Sequence, residues 1–180
     1  MSIYTKTGDN GTTGLFGGTR VGKDSQIIDV LGNIDELNAS IGILISTSSI
    51  PPDIKELLLH TQNKMFEIGT IVANPAKYQS ETNFNEEHTN HLELLIDKYE
   101  SLIEPLSNFI LPGGCPLAAN LHLTRAICRK LERSLVTFRN TGSNKFINEL
   151  KYLNRLSDLL FVLARFVNKV ENVPETIWRG

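Results

Sequence analysis

The sequence predicts an all-α fold, an up-and-down five-helix bundle preceded by a glycine-rich N-terminal ligand-binding segment. Apolar residues recur with a helical period through five separate stretches, and glycine, proline or polar runs punctuate the chain between them. The length, 180 residues, suits one domain with a substantial core. The expected division is therefore a single domain over 1–180, with the segment at 1–25 and the bundle at 26–170.

The opening strip, "YTKTGDNGTTGLFGG" at 4–18, combines closely spaced glycines with threonine hydroxyls and a lysine. Glycine frees the backbone to aim N–H groups at an anion, so the strip reads either as a phosphate-binding loop or as a frayed terminus. Residues 17–23, "GGTRVGK", fit the first seven positions of the P-loop pattern, but Asp24 stands where that pattern needs Ser or Thr for magnesium. No hydrophobic strand feeds into it either, which excludes the P-loop nucleotide fold.

The first helix is expected from about Gln26 to Ser46, on Ile27, Val30, Ile34, Leu37, Ile41 and Leu44. Its other side carries Gly32, Asp35, Ala39, Gly42 and Ser46, small enough to let a helix or a subunit approach. "SSIPPD" stops the chain and restarts it, and a second helix follows from about Pro52 to Val72. The polar stretch at about 73–87 reads as a surface loop, and a third helix as roughly Glu87 to Ile103. "FILPGGCP" breaks the pattern before a fourth helix, Leu117 to about Phe138. "RNTGSN" turns the chain into a fifth, about Lys145 to Val167.

A formal charge of -2 lacks the electrostatic footprint of a nucleic-acid binder. Two cysteines, Cys115 and Cys128, are too few for a disulfide scaffold, and no second group has zinc-site spacing. No run approaches the roughly 18 apolar residues of a membrane span. The start, "MSIYTKTGD", has the features of neither a secretory nor an organellar leader, so a cytoplasmic protein is expected.

Polar chemistry concentrates on the fourth helix, "LHLTRAICRKLERSL". At about 100° per residue, His122, Arg125, Arg129, Glu132 and Arg133 fall within one arc, with Leu117, Ile127, Leu131 and Leu135 turned to the core. Arginine's fork pairs bidentately with phosphates or carboxylates, and Glu132 can hold magnesium or pair with an arginine a turn away. A ladder of charges within the helix is the plainer reading. On the fifth helix Asn154, Asp158 and Arg165 share a side. Asn154 reads as a ligand contact and Asp158 as a partner for a fourth-helix arginine; a satisfied polar network is the alternative for Asp158 and Arg165. Asp35, a lone carboxylate among small residues, points to Arg125 as its partner. Phe109, ahead of Pro-Gly-Gly, reads from the residues alone as a core plug.

"YTKTGDNGTTGLFGGTRVGKD", "GNIDELNASIG", "ILPGGCPLAANLHLTRAICRKLERSL" and "YLNRLSDLLFVLAR" together closely resemble the PduO-type ATP:cob(I)alamin adenosyltransferases. The resemblance implies a homotrimer of five-helix bundles with active sites at the subunit interfaces. It implies transfer of the 5′-deoxyadenosyl group of ATP to cobalt, releasing tripolyphosphate, with ATP, Mg²⁺ and cobalamin bound. A flavoprotein-type electron donor and a corrinoid-dependent enzyme that takes delivery are the partners such chemistry implies; nucleic acid and membrane are not among them.

By the same resemblance the triphosphate is wrapped by Thr5, Lys6, Thr7, Gly8, Asp9, Gly11, Thr12, Thr13, Gly14, Gly17, Gly18 and Lys23. Arg129 and Glu132 match residues that hold the phosphates and the magnesium, Arg133 lies near the phosphates, and Asn154 contacts the nucleotide. Arg125 and Asp35 match a salt bridge tied to the site and the subunit contact, and His122 a residue close to the corrin pocket. Phe109 matches the aromatic that lies against the corrin and displaces its lower axial ligand, which reverses the plain reading of that residue. Two other classes remain open at this stage: a non-catalytic ATP- or polyphosphate-binding bundle, and a phosphotransferase using Asp35 or Asp158 as base.

Overall fold

The computed structural model describes residues 3–15, 18–74, 84–141 and 146–179. Gly17, Lys145, the centre of the polar stretch and the second half of the "RNTGSN" turn lie outside them. Five helices form among the described residues: α1 (Gln26–Ile45), α2 (Pro52–Ala73), α3 (Glu86–Glu100), α4 (Pro116–Asn140) and α5 (Ile147–Val170). α1 packs between α2 and α4, α4 against α5, and α5 against α3. The Tyr99 hydroxyl, donating to Asp53 at 2.7 Å, ties the end of α3 to the start of α2.

Three of the helices begin where local chemistry favours a start. Pro52 and Pro116 occupy first-turn positions, where a missing N–H costs nothing. Asn85 caps α3 by accepting from the Glu87 N–H at 3.0 Å. The core holds the expected Leu37, Ile41 and Leu131, with Met65, Leu92, Leu121, Leu153 and Leu160 also buried, while the expected Ile27 and Ile127 are only partly buried. Both cysteines are buried and free. Cys115 caps α4 through its sulfur, and the Cys128 thiol donates to the Leu153 carbonyl at 3.3 Å while burial raises its pKa.

Three features depart from the expected organisation. The N-terminal strip contains an antiparallel hairpin, β1 (Thr12–Gly14) and β2 (Arg20–Gly22), with Thr13 opposite Val21. The short strands escape a periodicity search because three residues hold too little alternation. α3 stops at Glu100, short of the expected Ile103. The third departure is the segment after α5, which turns back to pair with the Phe109 loop: Ile110 bridges Ile177.

Candidate functional site

The hairpin gives the glycine strip a defined shape, so the frayed-terminus reading fails for its described part. Gly11 and Gly18 take φ of 76° and 90°, a region open to glycine at little cost. The Lys23 N–H donates to the Gly11 carbonyl at 2.8 Å, and the Lys23 ammonium lies over Gly8, where a Cβ would come within 3.3 Å of it. Arg20 holds the strip together: its guanidinium donates to the Thr7 carbonyl and the Thr12 hydroxyl, both at 2.6 Å. The Thr5 and Thr7 hydroxyls share a hydrogen bond of 2.8 Å. Thr5, Lys6, Thr7, Asp9, Gly14 and Lys23 stay exposed, and Thr13 is half-buried.

The α4 stripe divides. Arg129 and Arg133 are exposed, and among the described residues neither forms an ion pair within the chain. Glu132 instead accepts a hydrogen bond from Asn154 of α5 at 3.0 Å. That excludes a charge ladder on α4 as the reason for the stripe. One carboxylate oxygen is engaged by Asn154, leaving the other for a cation. No group of three His, Cys, Asp or Glu suited to a metal exists among the described residues. This donor set fits Mg²⁺, which keeps its waters and takes one or two carboxylates alongside substrate phosphates.

His122 leaves the stripe. It is 4% exposed, its ring 5.8 Å from that of Phe161, and both ring nitrogens are buried with no hydrogen-bond partner in the chain. Burial, and then the charge of Arg125, lower its pKa, with Glu175 pulling weakly the other way. The Arg125 guanidinium lies 5.8 Å from the centre of the Phe161 ring, and its Nε is buried and unpartnered.

Arg125 and Phe161 border a hollow of about 1110 Å³, lined also by Ile96, Leu106, Phe109, Asp158, Val162 and Trp178 among others. Phe109 is 80% exposed and stands edge-on to Trp178, ring centres 6.3 Å apart. It plugs no core. Proline and two glycines follow it, and main-chain bonds to the segment after α5 hold its loop out from the bundle.

Two expected pairings do not form within one chain. Asp158 accepts from Arg155 of its own helix at 3.1 Å, not from a fourth-helix arginine, because three residues along α5 bring Arg155 directly beside it. Asp35 lies in a separate hollow between α1 and α2, with Asn38, Phe66 and Gly69, while Arg125 faces Phe161. Arg165, by contrast, belongs to a satisfied network with Glu175. Sequence reasoning passed over Arg20, Phe161 and Trp178. The last is the sole tryptophan of the chain, and that was the available signal.

Comparison with known proteins gives a consistent set of likenesses. The Cobalamin adenosyltransferase family pattern matches residues 3–167. A cobalamin adenosyltransferase of Cupriavidus metallidurans is 41% identical over 179 residues, covering 98% of this chain and 94% of that one. A corrinoid adenosyltransferase of Bacillus subtilis is 42% identical over 176 residues, covering 93% and 87%. A solved PduO-type ATP:corrinoid adenosyltransferase variant from Lactobacillus reuteri, complexed with cobalamin and ATP, superposes with a TM-score of 0.92 at 33% identity, covering 99% of this chain and all of that one.

Proposed function

Because this chain belongs to the cobalamin adenosyltransferase family, we propose a working site built from its glycine strip, the Glu132–Asn154 pair and the Phe109 hollow. The protein is an enzyme, an ATP:cob(I)alamin adenosyltransferase: it moves the 5′-deoxyadenosyl group of ATP to cobalt, forming adenosylcobalamin. Cobalt(I) supplies the electron pair of the new Co–C bond. The C5′–O bond breaks in line and its electrons leave on tripolyphosphate.

No side chain need act as base or nucleophile in such a displacement. The protein's share is positioning and neutralisation of the leaving group. In our reading the strip's N–H groups and hydroxyls, with Lys6 and Lys23, surround the triphosphate, and Arg129 and Arg133 approach it from α4. Asn154 orients the nucleotide while holding Glu132. Glu132 would hold Mg²⁺, whose contribution is to offset phosphate charge.

Phe109 carries the corrinoid half of the proposal. An apolar ring held 80% exposed at the mouth of a large hollow suits contact with the lower face of a macrocycle. By occupying the place of the axial base it favours four-coordinate cobalt(II), which is easier to reduce.

The full site is proposed to assemble in a homotrimer. Asp35 and Arg125 lie in different hollows of one chain, so a salt bridge between them requires a second copy. Phe66, 72% exposed beside Asp35, gives that face apolar surface to bury.

The test is anaerobic: purified protein, Mg-ATP and chemically reduced cobalamin, followed by absorbance with phosphate products separated afterwards. Light-sensitive adenosylcobalamin and tripolyphosphate are expected in equal amounts. Persistence of cob(I)alamin in the presence of bound ATP would refute the assignment in favour of an ATP-binding regulator, and ADP as product would favour a phosphotransferase.

A further inference from the structure

After α5 the chain reverses and lies along the loop that carries Phe109. The Trp178 N–H donates to the Phe109 carbonyl at 2.8 Å, and the Leu111 N–H donates to the Thr176 carbonyl at 2.8 Å. These two bonds, which together make the Ile110–Ile177 bridge, are marginal by themselves. Apolar burial adds little, since Ile177 and Trp178 are both about half exposed.

The anchor is one side chain earlier. Glu175 accepts from Arg165 of α5 through Nε at 2.7 Å and Nη2 at 3.2 Å. Arg165 is 7% exposed, and its Nη2 also donates to the Glu104 carbonyl at 2.8 Å. A guanidinium this buried needs its carboxylate, because an uncompensated charge there is costly. Three residues further along α5, the Asn168 carboxamide accepts from the Cys115 N–H at 2.9 Å and donates to the Gly113 carbonyl at 3.1 Å. A Cβ at Gly114, where φ is 110°, would collide with Asn168. Arg165 and Asn168 therefore grip the two flanks of the Phe109–Cys115 loop, Asn168 directly and Arg165 through Glu175.

We propose that the Arg165–Glu175 pair is a positioning latch that docks residues 171–179 and thereby sets how Phe109 is presented to the hollow. The inference rests on the reading of Phe109 as the aromatic placed against the corrinoid. The Phe109 ring is too exposed to be held by its own packing, so its direction follows its backbone. That backbone is held on one side by Trp178 and Leu111 bonds that depend on a docked Glu175. Releasing the latch leaves the loop gripped only at Gly113–Cys115 and removes preorganisation from the residue that needs it.

Trp178, as the sole tryptophan, reports docking without any substrate. In Glu175→Gln, which is uncharged and offers the guanidinium fork one acceptor oxygen in place of two, Trp178 anisotropy is expected to fall and acrylamide quenching to rise at least twofold. Glu175→Asp should restore most of both. Circular dichroism melting establishes that each variant is folded, and Arg165→Lys, which keeps the charge and loses the fork, serves if Glu175→Gln does not fold. Turnover starting from cob(II)alamin should drop about tenfold or more, with KM for ATP unmoved because the glycine strip is untouched. Unchanged Trp178 signals in folded variants would overturn the latch. A mobile Trp178 with normal cob(II)alamin turnover would overturn its positioning role. Phe109→Ala, assayed in parallel, separates these from a failure of the Phe109 reading: if that variant turns over normally while Glu175→Gln is slow, the corrinoid role of Phe109 is wrong and the latch acts elsewhere.

Discussion

Glu132 on α4 and Asn154 on α5 face each other at 3.0 Å, the only hydrogen bond through which the described residues engage the Glu132 carboxylate. The pair joins the helix proposed to meet the phosphates to the helix proposed to meet the nucleotide. Asn154→Ala is expected to raise KM for ATP or slow transfer by about tenfold, roughly 1.4 kcal/mol. Glu132→Gln keeps the hydrogen bond to Asn154 possible through its carbonyl and loses the charge. Its defect should therefore appear as a steeper requirement for Mg²⁺ in a titration of turnover against free magnesium.

Phe109→Ala removes an exposed ring, so its melting temperature should change by no more than about 0.5 kcal/mol implies. Turnover from cob(II)alamin should fall at least about tenfold, with KM for ATP within twofold of the parent. Normal turnover under those conditions would remove Phe109 from the mechanism.

Gly11 adopts φ of 76° at the point where Lys23 bonds back to it. Gly11→Ala should cost about 1–2 kcal/mol of strip conformation and weaken ATP binding measured by calorimetry. Gly11→Asn, which tolerates the left-handed region, should recover part of that loss. Equal affinity in all three proteins would show that the strip's shape is irrelevant to ATP.

The buried imidazole of His122 carries a pKa lowered from its ordinary 6.5, chiefly by desolvation. His60 is lowered in the same direction, by burial and the charges of Lys64, His91 and His88. Below pH 6.5 the unfolded chain takes up protons that the folded chain refuses, so stability falls as pH drops through that window and is restored above it. Melting curves from pH 5 to 8 should show this slope, and His122→Phe should flatten it while His60→Gln removes the remainder. An unchanged slope in both variants would locate the dependence elsewhere.

Asp35 and Arg125 occupy separate hollows, so their coupling is expected only in an oligomer. Asp35→Ala and Arg125→Ala should each reduce activity by about tenfold, and the double variant should be little worse than either, because both remove one interaction. Sedimentation should report a trimer for the parent. A monomeric, fully active parent would refute the pairing.

Phe109, Asn154 and Arg165 show how far the sequence could be read. Helical periodicity marked all five helices because a buried stripe must recur every 3.6 residues whatever the helices pack against. It also put Glu132 and Asn154 on polar faces, but two helical faces read separately do not say that they meet. Phe109 looked like any loop phenylalanine, since exposure follows from what surrounds a side chain and not from its neighbours in sequence.

Helix placement, the glycine strip and the arginine stripe were thus determined by the sequence itself, through short-range backbone preferences and amphipathic spacing that act within a turn or two. The Glu132–Asn154 pair, the burial of His122 and the return of Trp178 to Phe109 were decided only by tertiary structure. They join residues 22 to 69 positions apart or depend on what covers a side chain, and such contacts exist only once the chain's long-range packing has been chosen.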